Sequence, residues 1–335
     1  MQSWQEILNQ LQTRAQAADT LLAEARMAAH DTIASPWLDI GLIRASGEEA
    51  PGFLHNLFTN DVANLPEGGV RRAAFCTPKG RMLADFLIWR DNEDFLLQCA
   101  ADVHGAMLKK LSMYVLRSKV KLTDASSTHA VIGLAGPGAN RIAADVGCTL
   151  PAPLATEKFT HGQFLGLELN RYQIIVAAGF VTEIWPEIAK RARIVGTPAW
   201  RWTEITAGIP RIVAATQEQF VPQMVNFDRV AGISFKKGCY PGQEIVARTH
   251  YLGKIKRRMI RAHLANGAAA PGTTIHAPET GEQACGIVVS TAPSPEGGLD
   301  LLASVQTSCI EAGVLHIGTP EGPHLRLLPL PYPME

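Results

Sequence analysis

The sequence predicts an α+β protein of several domains that ends in a small β-barrel. Its 335 residues exceed the size at which a single hydrophobic core usually stops growing. Ahead of Val246, strand-like and helical runs alternate, as in folds that segregate helices onto antiparallel sheets. Beyond it, short alternating runs such as Gly286-Ile287-Val288-Val289 and Val314-Leu315-His316-Ile317 lie between Gly, Pro, Asn and Ser turns, the pattern of a small closed barrel.

The elements follow in order. Trp4, Ile7, Leu8, Leu11, Ala15, Ala18, Leu22 and Ala25 recur at helical steps over residues 3–30, behind the capping box Ser3-Trp4-Gln5-Glu6, and predict an amphipathic helix. Glu6, Asp19 and Glu24 interrupt any signal-peptide core and argue against a mitochondrial presequence. No apolar stretch is long enough to span a bilayer, so the expectation is a soluble protein, cytoplasmic by default and without a membrane partner. Phe53, Leu54, Leu57 and Phe58 form one helical face. Arg72 to Cys76 and Leu83 to Trp89 read as strands joined by the tight turn Thr77-Pro78-Lys79-Gly80, with Phe95 to Cys99 as a third strand and Asp102 to Leu116 as a helix. A second unit starts near Ala130: strand Val131 to Leu134, a helix over Ala139 to Val146, strands near Leu165 to Leu169 and Tyr172 to Ala177, and a helix around Ile184 to Ala192. That order is ferredoxin-like. Gly136-Pro137-Gly138 lacks phosphate-loop spacing, and its proline removes an amide donor, so it reads as a plain turn.

Hydrophobic residues make up 47% of the chain and charged residues 19%, an ordinary globular balance. Basic and acidic residues both number 31, so the totals predict no long-range attraction to nucleic acid or anionic lipid. The basic run Lys254, Lys256, Arg257, Arg258 and Arg261 is either a local site for phosphate or polyglutamate groups or a solvated strand face.

The six cysteines, at 76, 99, 148, 239, 285 and 309, include no Cys-x-x-Cys pair and form no metal cage by themselves; no metal is expected. They read as reduced thiols, mostly small buried hydrophobes. Cys239 differs in its setting. Tyr240-Pro241-Gly242-Gln243 has proline and glycine where a type II turn wants them, which gives the preceding thiol a defined direction. Lys236, Lys237, Arg248 and His250 lie nearby in sequence, and cations favour thiolate. Cys239 is thus a candidate nucleophile, redox centre or single metal or cluster ligand, or else a small buried residue beside a turn. Asp85 stands in an otherwise apolar strand: either it is a buried carboxylate that is paired or used, or alternation turns it to water. Trp200 and Trp202 flank Arg201 ahead of Ala207-Gly208-Ile209-Pro210. Either ring can stack on a flat heteroaromatic ligand or fill the core, and strand alternation puts both on one face.

These segments resemble those of the YgfZ-type folate-binding proteins, relatives of the glycine-cleavage aminomethyltransferases. The resemblance rests on Leu57-Phe58-Thr59-Asn60-Asp61-Val62, Pro78-Lys79-Gly80-Arg81, Ala207-Gly208-Ile209-Pro210, Phe220-Val221-Pro222-Gln223, Leu328-Pro329-Leu330-Pro331-Tyr332 and above all Gly232-Ile233-Ser234-Phe235-Lys236-Lys237-Gly238-Cys239-Tyr240-Pro241-Gly242-Gln243-Glu244. It implies a three-domain aminomethyltransferase-like fold around a central cavity that admits tetrahydrofolate. The expected division is an N-terminal helix over 1–34, a central folate-binding α+β domain over 35–125 plus 200–245, a ferredoxin-like domain over 126–199 and a β-barrel domain over 246–335.

The implied role is that of a tetrahydrofolate-binding accessory protein in the assembly or repair of iron–sulfur proteins, including cluster enzymes that thiolate tRNA. Iron–sulfur proteins would be its clients, with no direct nucleic-acid contact and a monomeric chain. The alternatives are a folate-dependent aminomethyl transferase using Asp85 and a folate sensor without catalysis. Cys239 falls on the family's key cysteine, absent from the transferases, and Asp85 on their essential aspartate, which would face the pterin edge or a one-carbon adduct. Trp200 falls on a position used against folate, and Lys237 and Tyr240 join it as candidate contacts. Two positions depart from the family: a second folate-contacting tryptophan aligns with Ile40, so that either Trp37 substitutes for it or part of the pocket differs, and a pterin-facing glutamate is replaced by Thr206.

Overall fold

The computed structural model describes residues 18–36, 39–251, 253 and 255–334. The first part of the predicted N-terminal helix, Trp37 and Lys254 of the basic run lie outside the described residues. The described part of that helix is α1 (Ala18–His30).

The chain then runs through β1 (Ile33–Pro36), β2 (Ile40–Ser46), α2 (Ala50–Leu57), β3 (Val70–Cys76), β4 (Met82–Asp91), β5 (Asp94–Ala100), α3 (Ala101–Ser112) and β6 (Lys121–Asp124). Strands β3-β4-β5-β2-β6, in that order, form an antiparallel five-stranded sheet. Next come β7 (His129–Ala135), α4 (Ala139–Asp145), β8 (Thr156–Phe159), β9 (Gly162–Leu167), β10 (Arg171–Ala177), α5 (Val181–Ala189) and β11 (Arg193–Ile194). These build a second sheet in the order β11-β1-β7-β10-β9-β8, to which β1 is lent from ahead of the first sheet.

Helix α6 (Thr197–Thr206) leads into an irregular stretch that ends in α7 (Gln243–Tyr251). The remainder, β12 (Arg257–Leu264), β13 (Thr274–His276), β14 (Gly286–Pro293), β15 (Leu299–Gln306), α8 (Thr307–Ala312), β16 (His316–Ile317) and β17 (Arg326–Leu328), forms a six-stranded sheet curled into a half-barrel. The whole is α+β, as expected. Among the described residues no helix is long and apolar enough to cross a membrane.

The first two sheets pack face to face, and the period of two along each strand decides what lies between them. On β4, Phe86 and Ile88 join the core under α2 and α3, while Leu87 and Trp89 point to the inter-sheet core. On β5, Leu97 and Cys99 take the helix side and Leu96 the inter-sheet side. On β10, Ile174 and Val176 pack under α4 and α5, and Ile175 faces the first sheet. Both faces of these strands are therefore buried. Asp85, Gln98, Arg171 and Gln173 share the parity of the inter-sheet residues, so the alternation that offered Asp85 a route to water sends it between two sheets instead.

Candidate functional site

A cavity opens where the inter-sheet core gives way to polar side chains. Its free internal space is small, about 50 Å³, and it opens to solvent at one side. The first sheet supplies Arg72, Asp85 and Gln98, and the second supplies Arg171 and Gln173. Glu204, Ile209, Pro210, Arg211 and Phe227 close it from α6 and the segment behind. Ile40 is part of the wall, at the position where the family resemblance expects a tryptophan.

The cations are mostly spoken for. Arg72 donates two bonds of 2.7 Å to the Glu168 carboxylate, and Arg211 donates to both oxygens of Glu204 at 2.8 and 3.0 Å and lies 3.2 Å from Asp39. Arg201 also pairs with Asp39. Among the described residues no guanidinium forms an ion pair with Asp85, whose Oδ1 accepts the Ile212 N–H at 2.6 Å. Burial pushes its carboxyl up to about 6, against the pull of that N–H and of Arg211, with the Glu204 charge adding to the rise.

Three polar atoms in these walls, Gln98 Oε1, Gln173 Oε1 and Arg171 Nη2, are buried without a hydrogen-bond partner. A buried polar group left unpaired is costly, and three beside one cavity mark a place built to receive a polar guest. A pterin fits this set. Its amidine-like edge offers N–H donors to Asp85 and the amide oxygens, and its flat ring suits Leu87, Leu167, Ile209 and Phe227. Sequence reasoning found Asp85 but missed Gln98, Arg171, Gln173, Glu204 and Arg211. Strand parity on β5 and β10 was a signal available for three of them. Thr206 brings no carboxylate to the wall, but Glu204, earlier on the same helix, does.

Trp200 is not a cavity wall. It is fully buried on α6, with its ring against the Gly133 backbone, so close that a Cβ at 133 would come within 2.5 Å of it. The Arg171 guanidinium lies 5.8 Å from the ring centroid, between the ring and the cavity. The expected strand alternation of Trp200 and Trp202 does not occur, because Pro198 opens a helix here. Residues two apart on a helix diverge, and Trp202 instead donates to Asp300 at 2.9 Å.

The second candidate region is the Cys239 segment. Cys239 is exposed, whereas Cys76, Cys99, Cys148, Cys285 and Cys309 are buried. Its turn forms as the sequence predicts: Gln243 N–H donates to the Tyr240 carbonyl at 3.1 Å, and Gly242 adopts φ +82°. Gly242 is required twice over, since a Cβ there would meet the Thr77 carbonyl at 2.5 Å and Gly80 Cα at 2.6 Å. The turn is thereby seated on the β3–β4 hairpin. Lys237 pins the other side, donating to the carbonyls of His55 and Phe58 at the end of α2, where a helix dipole favours a cation. Its ammonium also lies 4.8 Å from the centroid of the buried Tyr240 ring, and burial lowers it to about 8. Burial raises the Tyr240 phenol. His250, one of the nearby cations in sequence, stacks its ring on Phe235 with the centroids 3.7 Å apart.

The sequence motifs hold one another in place. Thr59 Oγ1 donates to the Gly232 carbonyl and Asn60 Nδ2 to those of Ala231 and Arg72, each at 2.7 Å. Gln223 donates to the Val246 carbonyl at 2.8 Å, and Tyr332 to the Gly208 carbonyl at 2.8 Å. Cys239 itself lines no part of the Asp85 cavity, but the two regions meet at Phe227, a wall residue against which Gly232 packs.

Comparison with known proteins gives a consistent result. The model of the GCVT N-terminal domain family matches residues 4–200. The tRNA-modifying protein YgfZ of Cronobacter sakazakii is 31% identical over 306 residues, covering 89% of this chain and 92% of that protein. The protein of the same name from Colwellia psychrerythraea is 35% identical over 225 residues, 66% of this chain and 68% of its own length. Among solved structures, the glycine cleavage system aminomethyltransferase T of Bartonella henselae superposes with a TM-score of 0.70 at 17% identity, over 93% of this chain and 89% of that one, which shows a shared fold.

Proposed function

Because this chain belongs to the YgfZ-type aminomethyltransferase-like family, we propose that it binds tetrahydrofolate in the Asp85 cavity and acts as an accessory protein in tRNA modification, through the upkeep of iron–sulfur proteins. The observation that carries the folate reading is the set of buried, unpartnered acceptors beside Asp85, Gln98 Oε1 and Gln173 Oε1, in the walls of one cavity. Tetrahydrofolate, when bound, supplies a carrier for one-carbon groups. This chain's part is to orient it: Asp85 accepts from the pterin edge, and Glu204 with Arg211 fixes the opposite wall. Trp200 contributes from behind, through Arg171. Lys237 and Tyr240 serve the Cys239 loop rather than the ligand. Cys239, exposed and fixed at both ends, offers its sulfur to a client protein in the cytoplasm. With zero net charge, a single chain reaches tRNA through such clients and not by contact with RNA.

Titration of tryptophan fluorescence with tetrahydrofolate tests the pocket. Asp85→Asn is expected to weaken binding by about tenfold or more, the cost of losing a charged hydrogen-bond acceptor. Unchanged affinity would sink the assignment. Cys239→Ala, read through iron–sulfur enzyme activity and tRNA thiolation in cells, is expected to lose function while still binding folate. Full function would remove the thiol. The half-buried Asp85 in the cavity wall also favours a second reading, aminomethyl transfer; turnover of an aminomethyl donor that Asp85→Asn abolishes would establish it in place of the accessory role.

A further inference from the structure

Arg171 is the cation of the cavity whose charge the protein does not fully answer. It is 3% exposed. Its two natural partners are committed elsewhere, Glu168 to Arg72 through both oxygens and Glu204 to Arg211 through both oxygens. What remains for Arg171 is one bond from Nε to the Glu168 main-chain carbonyl at 3.2 Å, a carboxylate oxygen of Glu168 4.0 Å from Nη2, and the Trp200 face behind it. Nη2 has no hydrogen-bond partner.

Such a group is costly as it stands. A guanidinium presents five donors and cannot shed its proton in ordinary conditions, so a buried one looks for acceptors. Burial lowers even this residue to about 10. The strand parity that brings Gln173 to the same wall places Arg171 across the inter-sheet space from Asp85, and the two ask opposite things of a guest. Asp85 wants donors, and Arg171 wants an oxygen.

We propose that Arg171 is a specificity-determining residue of the cavity, which takes the ring carbonyl oxygen of the ligand's heterocycle while Asp85 takes its N–H edge. This rests on the folate reading and deepens it. The oxygen could come from the ring carbonyl or from the carboxylates of the glutamate tail. The depth of Arg171 in the wall favours the ring, because a tail bearing two charges stays toward the mouth. An analogue of tetrahydrofolate with an amino group in place of the ring carbonyl presents a donor to a donor, and the wild-type chain therefore discriminates against it.

The experiment measures dissociation constants of the wild type, Arg171→Met and Arg171→Lys for tetrahydrofolate, for its amino-substituted analogue and for tetrahydropterin, which lacks the tail. Thermal melting shows that each variant is folded. Loss of a charge-assisted bond is expected to weaken tetrahydrofolate binding by Arg171→Met about 10- to 100-fold and to erase the preference for the carbonyl form. Arg171→Lys keeps a cation and is expected to keep the preference at reduced affinity. Tetrahydropterin is expected to show the same loss in Arg171→Met as the full ligand. Equal affinity in Arg171→Met and wild type, or weakened affinity with the preference intact, overturns the proposal, as does a loss confined to ligands with the tail. No binding of tetrahydrofolate by the wild type sinks the folate reading itself. Should Arg171→Met fail to fold, retained affinity and no carbonyl preference in Arg171→Lys overturns the proposal equally.

Discussion

The Asp85 cavity and the Cys239 segment hold their key residues by opposite means. In the cavity, carboxylates and guanidiniums are removed from water and held by one another, so each position depends on its partners in two sheets and α6. At Cys239 the thiol is exposed to water, and the loop is placed by a glycine that only fits without a side chain and a lysine that binds the end of a helix. The cavity can thus bind and orient a small molecule away from solvent, while the thiol stays open to a large partner. Disturbing the first should cost global stability, and disturbing the second should cost local order.

The largest expected effect comes from Arg211→Met. It strands Glu204 in the wall without its guanidinium and takes one cation from Asp39, and loss of one partner of a buried pair typically costs about 3–5 kcal/mol. A urea unfolding midpoint measures it; a change no larger than that of an exposed site would show that the wall is solvated.

Asp85→Asn should act in the other direction. The folded chain holds the Asp85 proton more tightly than the unfolded chain, from 3.8 raised to about 6, so ionisation favours unfolding. The cost is absent below pH 3.8 and complete above about 6, where the neutral variant is expected to be more stable by about 3 kcal/mol. Unfolding free energies of both proteins across that interval check this. A variant that gains stability while losing ligand affinity is the signature of a residue kept for function.

Lys237→Met should have the smallest effect and a local one. Removing a cation from a helix C-terminus is worth about 1 kcal/mol, so hydrogen exchange over residues 236–243 is expected to quicken roughly fivefold with little change in global unfolding. Because the wild-type ammonium loses its proton near pH 8, the difference should shrink above that pH. A loss of global stability as large as that of Arg211→Met, or no change in exchange, would break the contrast between the two regions.

Local pattern was enough for some of this. The type II turn after Cys239 is dictated by Pro241 and Gly242, whose backbone preferences need no distant partner. The helical face of Phe53, Leu54 and Leu57 is equally local. Trp200 was misread as a strand residue because Pro198 at a helix start carries less weight in sequence than two tryptophans in alternation. Arg171 and Gln98 look like ordinary polar residues at strand positions. Nothing near them in sequence reveals that a second sheet covers the face they occupy.

By itself the sequence determined the fold class, a barrel-like end that proved to be a half-barrel and not the closed barrel expected, the family, and a cysteine fixed in direction by its turn. Only the tertiary structure decided that Cys239 is exposed, that Asp85 is half-buried in a cavity wall, and that Arg171, Gln173 and Glu204 join it from other elements. The reason is physical: turns and amphipathic periods are set by neighbours along the chain, whereas burial of a charge depends on what packs against it from far away in sequence, and that packing is what gives a carboxylate or a guanidinium its chemistry.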